Sequence, residues 1–254
     1  GMYTEGIANP AFPTCLRKLS GHKPVCVLRA GKTEAGKQTV ATHTGSLVGE
    51  NHVYRAAFKQ TGVVEVQDID DLFLTLQAFE RLPLPRSNRI AVVSITGIGC
   101  VLSAEAASLH GIALPPVEEK TLDQINHLAP AWAPLHNPFD IWAMIEKQGA
   151  EKAYTHTALP AIDDPNIDAL LMIFVLIKES TFDVGSLIRK LRKRQPHKPI
   201  LITVFGGGIE ATRHWIEQAE NAGALYVTTP ATGMHLLANM LRFRRHSEST
   251  DPTP

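Results

Sequence analysis

The sequence predicts an α/β protein built on parallel sheets and divided into two domains. Three features carry that prediction. Short runs rich in Val, Ile and Leu alternate with amphipathic stretches almost from end to end. Several of these runs are continuously apolar, the pattern of strands buried on both faces of a parallel sheet. Glycines stand at the joints, where right-handed crossovers must turn. With 254 residues, 44% apolar and 20% charged, the chain is long enough to bury two such cores.

The strand-like runs are 25–29, 63–66, 90–95, 112–114, 169–177, 200–205 and 225–228, with room for one short strand just before Glu5. Between them lie helical patterns. Residues 49–60 place Val53, Ala56, Ala57 and Gln60 on one side, and Leu72, Leu76 and Phe79 share a stripe. Leu102, Ala106 and Leu109 form another, as do Leu187, Ile188 and Leu191, and then Trp215, Ile216 and Ala219. Lys-Pro stands before the runs at 25 and at 200, proline being at home in the first position of a strand.

The clearest break is 81–88, where two prolines and polar residues follow a helix and precede a fresh buried strand. It divides the chain into a first domain, 1–86, a second, 87–246, and a polar tail, 247–254, expected to be disordered. The second domain holds enough strands for a small doubly wound sheet. The first holds too few for a typical independent sheet, so it is expected to be incomplete or completed by another chain. An open sheet edge of that kind favours a homo-oligomer or strand addition by a partner.

Charge and cysteine usage exclude several classes. Lys+Arg and Asp+Glu both total 25, which removes any global electrostatic case for nucleic acid. The basic cluster at 189–194 reads as a solvated helix C-terminus. No apolar run is long enough to cross a bilayer, and the start is no signal peptide, so neither membrane nor export is expected. Three cysteines with no C-x-x-C spacing read as reduced thiols of a cytoplasmic protein. His110, His127 and His136 show no metal-ligand spacing, so no metal is expected.

The most unusual stretch is 30–49, AGKTEAGKQTVATHTGSLVG, which is small, polar and punctuated by glycine. Strand-to-helix loops usually run about two to six residues, so its length suggests function. His43 stands near its end, with a helix expected to open around Ser46, and a helix N-terminus favours a phosphate. Thr44 and Ser46 can add hydroxyls, and Lys32 and Lys37 charge. The imidazole can then serve as phosphate ligand, general base or phosphoryl-accepting nucleophile. A solvated loop with an idle histidine fits the same composition.

The run KPVCVLRAGKTEAGKQTVATHTGSLVGENHVYRAAFKQTGVVEVQDIDDLF resembles the α-type part of the NDP-forming acyl-CoA synthetases, relatives of succinyl-CoA synthetase. The pattern K-P-V-x-x-L-K-x-G-x-[ST]-x-x-G-x-x-x-x-x-[ST]-H-T-G of that family puts His43 at the position phosphorylated in turnover. Tyr3-Thr4-Glu5-Gly6 resembles its Y-x-E-G element, which makes Glu5 the carboxylate that orients the imidazole. Asn137-Pro138-Phe139-Asp140 resembles its N-P-x-D element, and residues 88–107 and 205–208 its later strand and glycine turns.

The resemblance implies two flavodoxin-like, three-layer domains, the first incomplete, within an NDP-forming acid–CoA ligase. His43 would carry the phosphoryl group, Thr44, Gly45 and Ser46 would line its loop, and Gly97 and Gly99 would hold a phosphate at a helix N-terminus. That glycine turn reads Thr96-Gly97-Ile98-Gly99, with Ile98 where the family commonly has glycine. The family's CoA-binding domain, its S-x-S-G turn and its ATP-grasp module have no counterpart in the sequence. No cofactor is therefore expected on this chain alone. CoA, ATP or ADP, and magnesium are implied for the complete enzyme, with CoA-binding and ATP-grasp domains or subunits as partners. Two other readings stand beside it: a non-catalytic interaction module, and a nicotinamide-dependent oxidoreductase built on Gly206-Gly207-Gly208-Ile209-Glu210-Ala211.

Overall fold

The computed structural model describes residues 1–7, 9, 11–43, 48–176 and 182–250. The chain divides into two compact units, Gly1–Glu80 with Asn239–Pro254, and Arg81–Ala238. The first unit is built from β1 (Met2–Thr4), α1 (Phe12–Ser20), β2 (Cys26–Arg29), α2 (Glu34–His43), α3 (Asn51–Thr61), β3 (Val64–Val66) and α4 (Ile69–Arg81). Its sheet is parallel in the order β1-β2-β3, with Thr4 opposite Arg29 and Leu28 opposite Val66. Val27 anchors one face of this sheet on Leu16, Phe58 and Val63, with Met2, Phe12 and Tyr54 packed around them. The strand anticipated before Glu5 is β1.

Two local expectations are corrected here. The stretch 30–49 is not an extended loop, because α2 occupies ten residues of it. The hydroxyl of Thr33 accepts the Gly36 N–H at 3.2 Å and caps the start of that helix. The buried face of α3 is set by Phe58 and Thr61, with Tyr54 and Ala57 half-buried, whereas Val53 and Ala56 face out. Large side chains choose the buried face over the small ones that completed the expected stripe.

The second unit comprises β4 (Ile90–Ser94), α5 (Gly97–His110), α6 (Glu119–Asn126), β5 (Phe139–Asp140), α7 (Trp142–Gln148), α8 (Ala150–Asp163), β6 (Ala169–Leu176), α9 (Val184–Arg194), β7 (Ile200–Gly206), α10 (Ile209–Asn221), β8 (Leu225–Tyr226) and the start of α11 (Pro230–Thr250). Its five strands are all parallel, in the order β5-β4-β6-β7-β8. Counted along the unit, that is the flavodoxin-like order 2-1-3-4-5. The central strand β6 reads ALLMIFVL and buries every residue but Val175, as a strand covered on both faces must. Residues 112–114 form no strand, only a single bridge from Ala113 to Arg89.

The stripe expected on α5 is also corrected. Its buried residues are Gly99, Ser103, Ala106 and Ala107, while Ile98, Val101, Leu102 and Leu109 are exposed. Small residues let α5 lie close on the sheet, so its larger side chains point away. The tail expected to be disordered from 247 begins as helix, since α11 continues to Thr250. Within the first unit, Phe243 meets the Phe79 ring edge-on at 5.5 Å, and Arg244 pairs with Glu248 at 2.6 Å.

The cysteines are all unbridged. Burial raises the Cys26 thiol to about 11 and the Cys100 thiol to about 12. Since the thiolate is the reactive form, iodoacetamide at pH 8 is expected to label exposed Cys15 and spare Cys26 and Cys100 until the chain is denatured. Peptide mass mapping checks this; equal labelling of all three in the native protein would contradict it.

Candidate functional site

In β1 and just beyond it, Tyr3 and Glu5 project to the same side, as residues two apart do along an extended chain. Tyr3 donates its hydroxyl to Glu5 Oε1 at 2.8 Å. The same oxygen lies 3.4 Å from His43 Nδ1, with Glu5 13% and His43 72% exposed at the side chain. One nearly buried carboxylate oxygen is thus shared by a phenol and an imidazole. The hydrogen bond to Glu5 is also the main reason the Tyr3 phenol titrates above its ordinary value. Glu5 and His43 are both site residues by sequence, and the structure brings them together. Tyr3 belongs to the same motif, where the sequence gives it no role.

His43 closes α2. The expected arrangement had a helix opening close behind it; instead α3 begins at Asn51. The end of α2 beside His43 is the negative pole of that helix, which opposes a phosphoryl dianion. Thr44, Gly45 and Ser46 lie outside the described residues.

A second group gathers at the carboxyl end of β2, where open α/β sheets place their ligands. Arg29 is 2% exposed. Its Nη2 is hydrogen-bonded to Asn51 Oδ1, and its guanidinium lies 4.8 Å from the centre of the Tyr54 ring. Glu65 Oε1 stands 3.7 Å from Arg29 Nε and 3.5 Å from Lys32 Nζ. Lys32 also donates to the Val66 carbonyl at 3.0 Å, and the Tyr54 hydroxyl accepts the Ile7 N–H at 2.9 Å. Neither Nε nor Nη1 of Arg29 has a hydrogen-bond partner among the described residues. Sequence reasoning passed over Arg29; its only signal was the basic position in the family pattern that leads into the glycine.

In the second unit, Gly97 and Gly99 open α5 after β4. Thr96 caps the helix, its hydroxyl accepting the Gly99 N–H at 3.2 Å. A side chain on Gly99 would run into the Ser94 hydroxyl, and one on Gly97 would come within 3.1 Å of Asp140 Oδ2. A carboxylate therefore stands beside the turn assigned to phosphate. Asn137 braces the sheet, since its Oδ1 accepts from Val92 N at 3.0 Å and its Nδ2 donates to the Ile90 and Pro115 carbonyls at 2.9 Å each. Gly206 and Gly207, at φ 72° and 83°, turn the chain tightly from β7 into α10. Among the described residues no group of three His, Cys, Asp or Glu side chains converges on a metal site. No helix among them is long and apolar enough to cross a membrane.

Residues 1–79 match the model of the succinyl-CoA ligase like flavodoxin domain. Acetate–CoA ligase [ADP-forming] II of Archaeoglobus fulgidus is 38% identical over 173 residues, 67% of this chain and 25% of that protein. The α subunit of acetate–CoA ligase [ADP-forming] II of Pyrococcus furiosus is 35% identical over 211 residues, 81% of this chain and 45% of the subunit. The solved dinucleotide forming acetyl-coenzyme A synthetase 1 of Candidatus Korarchaeum cryptofilum, in complex with phosphate and ADP, superposes with a TM-score of 0.82 at 25% identity, covering 99% of this chain and 55% of that one. The chain spans between a quarter and about half of the length of these relatives. It is a relative of the ADP-forming acyl-CoA synthetases and carries, in residues 1–79, a succinyl-CoA ligase-like flavodoxin domain.

Proposed function

We propose that the chain is the phosphohistidine-bearing part of an NDP-forming acid–CoA ligase, with His43 as phosphoryl carrier and Glu5 as its positioning residue. The observation that supports this best is the 3.4 Å approach of Glu5 Oε1 to His43 Nδ1. A carboxylate on Nδ1 holds the proton there and leaves the Nε2 lone pair as nucleophile. Nε2 attacks the phosphorus of an acyl phosphate, the P–O bond to the acyl group breaks, and the carboxylate leaves. The imidazole ring gains positive charge, which Glu5 offsets. The phosphoryl group is then available to a nucleoside diphosphate. Gly97, Gly99, Thr44, Gly45 and Ser46 are the candidates for holding it in transit.

CoA, nucleotide and magnesium enter through the complete enzyme, and no residue of this chain is assigned to them. Its partners in that reading are CoA-binding and ATP-grasp domains or subunits, in the cytoplasm, where unbridged thiols persist. The edge of β1 offers a second copy a place to pair.

Intact mass after incubation with acetyl phosphate tests the reading. The wild-type chain is expected to gain one acid-labile phosphoryl group and His43→Asn none. If the wild type gains none even with CoA-binding and ATP-grasp domains supplied in trans, the chain is a non-catalytic interaction module. The position of His43 at the negative pole of α2 would then be its explanation.

A further inference from the structure

We propose that Tyr54 is a positioning residue for Glu5, its hydroxyl holding the backbone just beyond the carboxylate, where the sheet no longer does. β1 ends at Thr4, whose carbonyl accepts the Ala30 N–H at 2.9 Å. Glu5 follows, and after it Gly6, the residue least able to fix a backbone by itself. One residue further on, the Ile7 N–H donates to the Tyr54 hydroxyl at 2.9 Å, a bond that spans 47 positions of sequence. Between these two ties the Thr4 hydroxyl donates to the Gly6 carbonyl at 3.2 Å and tightens the chain around Glu5. The carboxylate is thus bracketed, by β2 on one side and by α3 on the other.

Tyr54 is itself held so that its hydroxyl reaches that point. Its ring lies 5.9 Å from that of Phe58, and the Arg29 guanidinium stands 4.8 Å from its centre. Arg29 is buried and bonded to Asn51, the first residue of α3, so cation and ring are fixed on one helix. Met2 and Val27 share this face of the sheet with Tyr54, whereas Tyr3 and Glu5 point to the other. The hydroxyl therefore grips the main chain from behind and does not compete with His43 for the carboxylate. Released from it, Glu5 is free to move off His43 Nδ1, now 3.4 Å away, and a shift of about 1 Å is enough to matter in such a pair. The kinetic consequence rests on the function proposed above; the placing of Glu5 does not.

Long-range proton–nitrogen NMR spectra of the full chain, with the imidazole neutral, report which ring nitrogen of His43 carries the proton, the signals being assigned by their loss in His43→Asn. Wild type is expected to hold the proton on Nδ1. Tyr54→Phe, which removes the hydroxyl and keeps the ring, is expected to move it toward Nε2. Glu5→Ala is expected to move it further, and Tyr54→Phe to add nothing on that background. Phosphoryl incorporation from acetyl phosphate, followed by intact mass, is expected to slow on the order of tenfold in Tyr54→Phe. On the Glu5→Ala background the same substitution is expected to change the rate by less than about twofold. A hydroxyl that only stabilised the fold would cost the same on both backgrounds, and that result overturns the proposal, as does an unmoved proton in Tyr54→Phe. If no variant takes up a phosphoryl group, the proposed function falls, while a proton moved by Tyr54→Phe still supports the placing of Glu5.

Discussion

On the proposed function, Glu5→Gln is expected to slow phosphoryl incorporation at His43 by on the order of 10², the usual scale for removing one proton-handling group. The amide is nearly isosteric and can still accept from Nδ1–H, so the geometry survives. What it cannot do is offset the positive charge that grows on the ring as Nε2 bonds to phosphorus. Glu5 is 13% exposed but the imidazole is 72% exposed, so water screens part of the attraction and keeps the effect at the low end of that scale. Tyr3→Phe is expected to cost less, because it removes a hydrogen bond to the carboxylate and leaves the charge. Time courses of intact mass with acetyl phosphate read both variants. Equal rates for Glu5→Gln and wild type would mean that the carboxylate is a bystander.

The second large effect is on stability. Asn137→Ala is expected to destabilise the second unit by about 3 kcal/mol, the sum for unpairing one buried N–H and two carbonyls. For a chain of this size that is a fall of about 6–12 °C in melting midpoint. The side chain bonds the edge of β4 where β5 stops short, pairing only at Val93 and Ser94. It acts as the missing piece of strand. A surface control such as Lys120→Ala, whose ion pair is with half-exposed Glu118, is expected to leave the melting midpoint unchanged. Thermal unfolding followed by circular dichroism separates the two, and a similar midpoint for both variants would show that water replaces the amide at no cost.

Strands that are apolar throughout were readable in advance, since burial on both faces leaves no alternative composition: β4, β6 and β7 fall within a residue of their expected limits. α2 was not, because it buries only Val40 and so carries no apolar period. Glycine at 36 and threonines at 39 and 42 lower its propensity further. β5 is two residues long and holds its place through backbone pairing and Asn137, neither of which leaves a hydrophobic signature. In the site, Glu5 and His43 could be named from a sequence resemblance, but their pairing is a matter of tertiary distance. Tyr3 and Arg29 take their meaning from cross-strand neighbours, which a linear pattern does not show.

The edge strand β1 has a kinetic consequence. Three residues hold it to β2, and the carboxylate facing His43 lies one residue past its end. Strands this short detach by local fraying, far below the free energy that unfolds a whole domain. Each such opening would carry Glu5 away from the imidazole while the rest of the sheet stays folded. The Glu5–His43 contact therefore depends on the lifetime of three backbone pairings, and warming is expected to loosen it before the protein melts.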